Sequence, residues 1–325
     1  KNRNNPYATN YGGSNSGRIV LTQLSCEILE MISLFSVFTK LPISKITSAD
    51  RFFHVGVSSP ENSPIIQPIL EYLPNYLTNE IQWIEHKVVY HQDQEQPYPY
   101  HLLVLSMHQP SVNHSISYNG LIETIQSVIF SLNNLSVGGT LFMTTNIIQH
   151  PILLEIIYIL CSFFRTFTII KPCISDILCE KRFIAGVGFC SQHPDLIHEA
   201  KQVANSLQTN ILPFFKQKKE NCDNGDGDIE YISIIHNTIP SHLSSRIDES
   251  NVVLGQQELG VLDHIINITR SKSSDNKINR YVSSVEGRAN QWARKFLHYH
   301  NGGGGGGGSG SGPVSNDYND WCIKG

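Results

Sequence analysis

Five histidines (His86, His91, His101, His108 and His114) are the side chains here best suited to metal binding or to proton transfer near neutral pH. None of them shows metal-ligand spacing on a single element, so satisfied or solvent-facing histidines are expected and no metal site is assigned. The run Asp223 to Glu230 (DNGDGDIE) has the acid density of a calcium loop. It lacks the glycine and the terminal glutamate at the required positions, which favours a solvated loop. Lys216, Lys218 and Lys219 follow Phe214-Phe215 and could touch RNA phosphate or a partner, although a charged helix end is the commoner meaning of such a run. The seven cysteines never form a C-x-x-C pair, which suggests neither a disulfide framework nor a zinc site and fits a reducing compartment. With a formal charge of −4, the chain carries no global basic field that would advertise nucleic acid.

Any site must be positioned by elements that 325 residues, 40% of them hydrophobic, can bury around one substantial core. Residues 19–38 have helical spacing of Ile28, Met31, Ile32, Phe35 and Phe38; 51–57 and 101–106 read as compact strands, and 81–90 as a third. The loop at 58–62 leads into a helix reaching about residue 73, while 92–99 is a polar, proline-bearing loop. Residues 121–135 form an amphipathic helix. Val137-Gly138-Gly139 signals a turn, and 140–145 is a buried strand. Pro151 opens an apolar helix over 152–164, at about 13 residues too short for a bilayer. Strands at 167–170 and 183–189 follow. Helices at 195–207, 256–268 and 284–299, a polar loop after 207 and a strand at 230–236 complete the pattern. No signal peptide or membrane span is seen. Such alternation predicts an open, mostly parallel sheet with helices on both sides, whose ligands sit beyond the carboxyl ends of the strands. The candidate site is therefore expected at 56–62, 106–110 and 144–150.

The stretch from Asn134 to Cys190 joins a Gly-Gly strand, an apolar helix ending in aromatics, Lys171-Pro172, a short loop and EKRFIAGVGF. It resembles the closing half of the FtsJ-like (RrmJ-type) RNA 2′-O-methyltransferases, closest to the eukaryotic mRNA cap 2′-O-methyltransferases. The likeness extends over roughly residues 19–300 in element order, with Trp292 matching a tryptophan in the family's final helix. It implies a Rossmann-like S-adenosylmethionine-methyltransferase sheet flanked by helices, with a C-terminal α+β extension. The expected layout is a flexible lead-in (1–17), the methyltransferase-like domain (18–192), the extension packed on it (193–300), a Gly/Ser linker (301–313) and a tail (314–325) that could be a docking segment.

Family enzymes ready the ribose 2′-hydroxyl with a Lys-Asp-Lys-Glu set. Carried across, the first position falls at or beside Glu30 and the others at Ser106, Thr144 and Lys181, all changed; a one-residue slip would instead make Glu180 the family glutamate. No slip places a lysine at 140–148, because that segment contains none. A neutral hydroxyl at Thr144 lacks the charge and the pKa of an amine. The cofactor loop is degenerate as well: Gly56 is its only glycine, followed by Ser58 and Ser59, so an ordinary strand-to-helix loop is favoured. Glu30 and Lys181 have exchanged charge relative to the family, which leaves two readings: an ion pair filling the site, or two solvated surface residues. The resemblance thus implies a catalytically inactive relative serving as an RNA-binding, scaffolding or stimulatory subunit of an intracellular complex, nuclear or cytoplasmic. In that reading no cofactor is expected, protein partners are, RNA contact is possible, and neither a membrane nor DNA specificity is indicated. The alternative is an active cap 2′-O-methyltransferase using S-adenosylmethionine through altered residues.

Overall fold

A computed structural model of the chain describes residues 21–35, 37, 52–58, 65–70, 72, 82–88, 99–106, 117–145, 148, 150–193, 195–220, 231–235, 238–270 and 274–297. The lead-in, the polar loop 92–98, the acidic run 223–230, and the linker and tail lie outside the described residues, as do His91, His108 and His114.

Six strands, β1 (Phe52–Ser58), β2 (Gln82–Lys87), β3 (Tyr100–Leu105), β4 (Leu135–Thr145), β5 (Phe164–Ile170) and β6 (Arg182–Phe189), form one open sheet in the order β2-β1-β3-β4-β6-β5. β1 runs parallel to β2 and β3, and β3 parallel to β4; β6 is antiparallel to both β4 and β5. The expected mixed α/β architecture is therefore present. Strand alternation sends Phe53, Val55, Leu102, Val104, Phe142, Phe183 and Ala185 to one face, where α1 (Gln23–Leu34) and the short α2 (Gln67–Leu70) cover them. Leu103, Leu105, Leu141, Met143 and Ile184 point to the other face, under α3 (Tyr118–Asn134) and α4 (Pro151–Phe163). Ser117 caps α3 by accepting from the Gly120 amide at 3.1 Å, and His150 caps α4 just before Pro151. No described helix is long and apolar enough to cross a membrane.

Three local expectations are corrected. The Gly-Gly pair makes no turn between elements: Leu135 already pairs with Tyr100, and Gly138 takes φ 79° where the β3–β4 register shifts, a bulge inside one long strand. Residues 207–220 are helical. α5 (Leu196–Ser206) continues through a wide π turn (Leu207–Ile211) into α6 (Leu212–Glu220), because Leu207, Ile211, Leu212 and Phe215 bury themselves in the core. Lys218 and Lys219 then lie in the last turn of α6, a charged helix end. Residues 231–235 form no strand, so the expected α+β extension is helical among the described residues, ending in α7 (Ser241–Arg270) and α8 (Ser274–Phe296).

Residues 231–235 instead strap across α4 through one buried carboxylate. Glu155, 2% exposed, accepts from the Tyr231 hydroxyl at 2.6 Å, the Ser233 hydroxyl at 3.0 Å, the Ile235 amide at 3.3 Å and the Ile234 amide. Substituting Glu155→Ala strands two amides, and a stability loss of about 3 kcal/mol is expected, from the worth of charged hydrogen bonds. Hydrogen exchange should show protection falling at Ile234 and Ile235 before the sheet is affected.

Candidate functional site

The carboxyl ends of β1, β3 and β4 meet, as the sheet requires. The Ser106 amide donates to the Ser58 carbonyl at 2.8 Å, and the Thr144 hydroxyl donates to the Leu105 carbonyl at 3.4 Å. Thr144 is 4% exposed and lies opposite Phe183 of β6, two residues beyond Lys181. Ser58, Ser106, Thr144 and Lys181 thus gather at one edge of the sheet. Ser59 lies outside the described residues, as do 60–62, 107–110, 146, 147 and 149.

Gly56 sits within β1, opposite His86 and Leu103. A Cβ there would lie 2.5 Å from Leu103 Cδ2, 2.9 Å from Val88 Cγ2 and 3.1 Å from a Tyr100 ring carbon. The missing side chain serves close packing of the sheet's core face. The glycine expected in a strand-to-helix loop is thus inside the strand itself.

Glu30 is fully buried. Its carboxylate accepts from the Cys173 amide at 2.8 Å, the Ile174 amide at 3.3 Å and the Trp292 indole N–H at 2.8 Å. This single side chain ties α1, the loop after β5 and α8 together, so it is no solvated surface residue. The proposed Glu30–Lys181 pair is corrected by one helical turn. Lys181 Nζ lies 2.6 Å from Glu27 Oε2, and Glu27 is fully buried and also accepts from the Ser175 hydroxyl at 2.8 Å. The same ammonium stands 5.1 Å from the centre of the Phe183 ring. The two glutamates are three residues apart on one face of α1, and the sequence alone does not tell which of them the lysine reaches.

Two further cations at this edge escape a reading based on family positions. Lys171, with a side chain 5% exposed, donates to the carbonyls of Ile177 (2.8 Å) and Cys179 and lies 3.8 Å from Glu258 of α7. Burial pulls its pKa down, and the Glu258 carboxylate opposes that shift. Arg182, 3% exposed, donates to the Asn251 side chain, whose amide in turn donates to the Ile148 carbonyl at 2.9 Å. These bonds close the loop 171–181 and fasten α7 to the sheet. Cys26, on α1 beside Glu27 and Glu30, is pushed up to about 12 by burial and then by the two carboxylates, which removes it as a nucleophile near neutral pH.

Parallel register also assembles a histidine group part-way along β1, β2 and β3. His54 Nδ1 and His86 Nε2 are 3.0 Å apart, and the His54 amide donates to His101 Nδ1 at 3.1 Å. That bond makes His101 Nδ1 an acceptor and therefore unprotonated. Among the described residues no group of three or more His, Cys, Asp or Glu is arranged to hold a metal ion.

Compared with models of known protein families and with curated proteins, the chain gives no match.

Two outcomes follow from this geometry. Lys181→Met leaves Glu27 charged and buried without its ammonium, at a cost of about 3 kcal/mol; adding Glu27→Gln should recover most of that loss in denaturant unfolding. Burial, then the His86 ring, lowers the pKa of His54 below its ordinary value. The folded chain therefore binds fewer protons than the unfolded one as pH falls below about 6.5, so stability is full above that pH and declines beneath it. Melting temperatures across an acid series should show this decline, and it should be smaller in His54→Gln.

Proposed function

We propose that the chain is a catalytically inactive relative of the cap 2′-O-methyltransferases that acts as an RNA-binding, scaffolding or stimulatory subunit of a larger complex. The observation that carries this reading is Thr144. At the end of β4, where the resemblance implies the lysine that readies the ribose hydroxyl, stands a buried neutral side chain bonded to the Leu105 carbonyl. A hydroxyl so placed supplies neither the positive charge nor the proton affinity that an amine brings to this step.

The amines nearby are committed elsewhere: Lys181 to Glu27, and Lys171 to the carbonyls of its own loop. Glu30, at or beside the family's first lysine position, is held by two backbone amides and an indole. The open six-stranded sheet flanked by helices is compatible with the fold that the resemblance implies. What has changed on this reading is the chemistry at the strand ends, and fold alone does not carry function.

The test is titration calorimetry with S-adenosylmethionine, followed by transfer of a radiolabelled methyl group to capped RNA. No heat of binding up to millimolar cofactor and no label on the RNA are expected. Micromolar binding with label transfer would instead establish the active enzyme and overturn the proposal.

A further inference from the structure

α7 carries more exposed apolar side chains than any other described element. It is anchored by Leu243, Ile247 and Leu254, all buried, and by Asn251 and Glu258. Beside that anchor it exposes Val252 (57%), Leu259 (66%), Leu262 (43%), Ile265 (40%) and Ile266 (43%). These are five of the nine exposed large hydrophobics among the described residues, on one helix of 30 residues. Val252, Leu259 and Ile266 are seven apart, and Leu262 falls three after Leu259. This is the spacing of a seam that packs against another helix, about 21 Å long at 1.5 Å per residue.

Gly255 occupies the seam position three after Val252, and Gly260 lies beside it. A Cβ added at either would meet nothing within 4 Å, so no packing among the described residues explains them. Glycine inside an exposed helix weakens it by about 1 kcal/mol relative to alanine. A glycine in an apolar seam does, however, make room for a large residue from a facing helix.

We propose that this seam is covered by the same seam of a second copy of the chain, the two α7 helices crossing antiparallel about a two-fold axis. The inference is independent of the methyltransferase reading. The flank of the seam carries Glu249, Gln256, Asp263 and Arg270, each seven residues from the next. A two-fold axis sets this flank against itself with its ends reversed. Glu249 then faces Arg270 of the second copy, and Gln256, an amide donor, faces Asp263 of the second copy; both contacts occur twice. In the same register Leu259 meets Leu262 of the second copy, and Gly255 receives Ile266 of the second copy. A parallel pairing would set like ends together and lose the charge complementarity. The antiparallel contact is isologous, so it closes at two copies and leaves no open seam.

The test is sedimentation of the full chain over a concentration series. A species of twice the 36.5 kDa chain mass is expected. Leu259→Asp should give a monomer whose melting temperature equals that of the unsubstituted chain at concentrations too low for association, since that side chain is mostly exposed in the single chain. Glu249→Arg should weaken association about tenfold, because two symmetry-related pairs become repulsive, and adding Arg270→Glu should restore it. Gly255→Ala should raise the stability of the monomer while weakening the dimer. A chain that stays monomeric at every concentration, including one whose seam binds a different protein, overturns the proposal. So does a dimer that survives Leu259→Asp, or a charge reversal that the second substitution does not rescue.

Discussion

A carboxylate taken out of water persists only where donors replace the water it has lost, and this fold meets that demand in one manner at the buried Glu30 and Glu155 and at the half-buried Glu85. Glu30 accepts from the consecutive amides of Cys173 and Ile174, Glu85 from those of Ile65 and Ile66, and Glu155 from those of Ile234 and Ile235. Each glutamate projects from a regular element, α1, β2 or α4, and fastens a segment whose own backbone has no ladder to join. The sheet and its two apolar faces would form by burial alone. The connections between elements are held largely by these carboxylates, because a backbone amide left without a partner beside a core costs more than a typical hydrogen bond contributes.

This division explains what the sequence discloses and what it conceals. Strands such as 101–106 and helices such as 121–135 announce themselves by period, because one face must be apolar to be buried. The Gly-Gly pair at 138–139 misleads: glycine permits a positive φ equally in a turn and in a bulge, and only the pairing of Leu135 with Tyr100 separates the two. Residues 207–220 look polar in sequence, yet four apolar positions in that stretch find the core and keep the chain helical. The anchoring glutamates carry no local signature at all. Glu155 lies in an apolar helix and Glu85 in a strand, and their amide partners are 79 and 80 residues away for one, 20 and 19 for the other.

That these strand ends meet was legible in the sequence, and how their side chains are wired only in part. That ligand-facing groups belong at the carboxyl ends of β1, β3 and β4 follows from the topology, and the structure brings Ser58, Ser106 and Thr144 to that edge. The absence of a lysine from 140–148 was visible in the sequence as well. Which acid Lys181 meets was not, because Glu27 and Glu30 lie one turn apart on the same helix and residue spacing cannot choose between them. Nor could family positions reveal Lys171 and Arg182 as buried cations, since their roles arise from α7 lying across the strand ends.

These observations bear jointly on what the edge of the sheet can do. A site for chemistry needs a charged group held in place yet available to a ligand, in a state that the reaction can change. Here the charges at the edge are held in place by structural partners: Glu30 by two loop amides and Trp292, Lys181 by a carboxylate from which water is excluded, Lys171 by the carbonyls of its own loop. To free any of them for a substrate would strand a buried partner, at a cost of several kcal/mol that a bound ligand would have to offset. On the proposed reading, the charge changes at Glu30 and Lys181 do more than remove a base. They bind α1, the loop after β5 and α8 into one fixed surface, and a fixed surface suits a subunit whose task is to be bound.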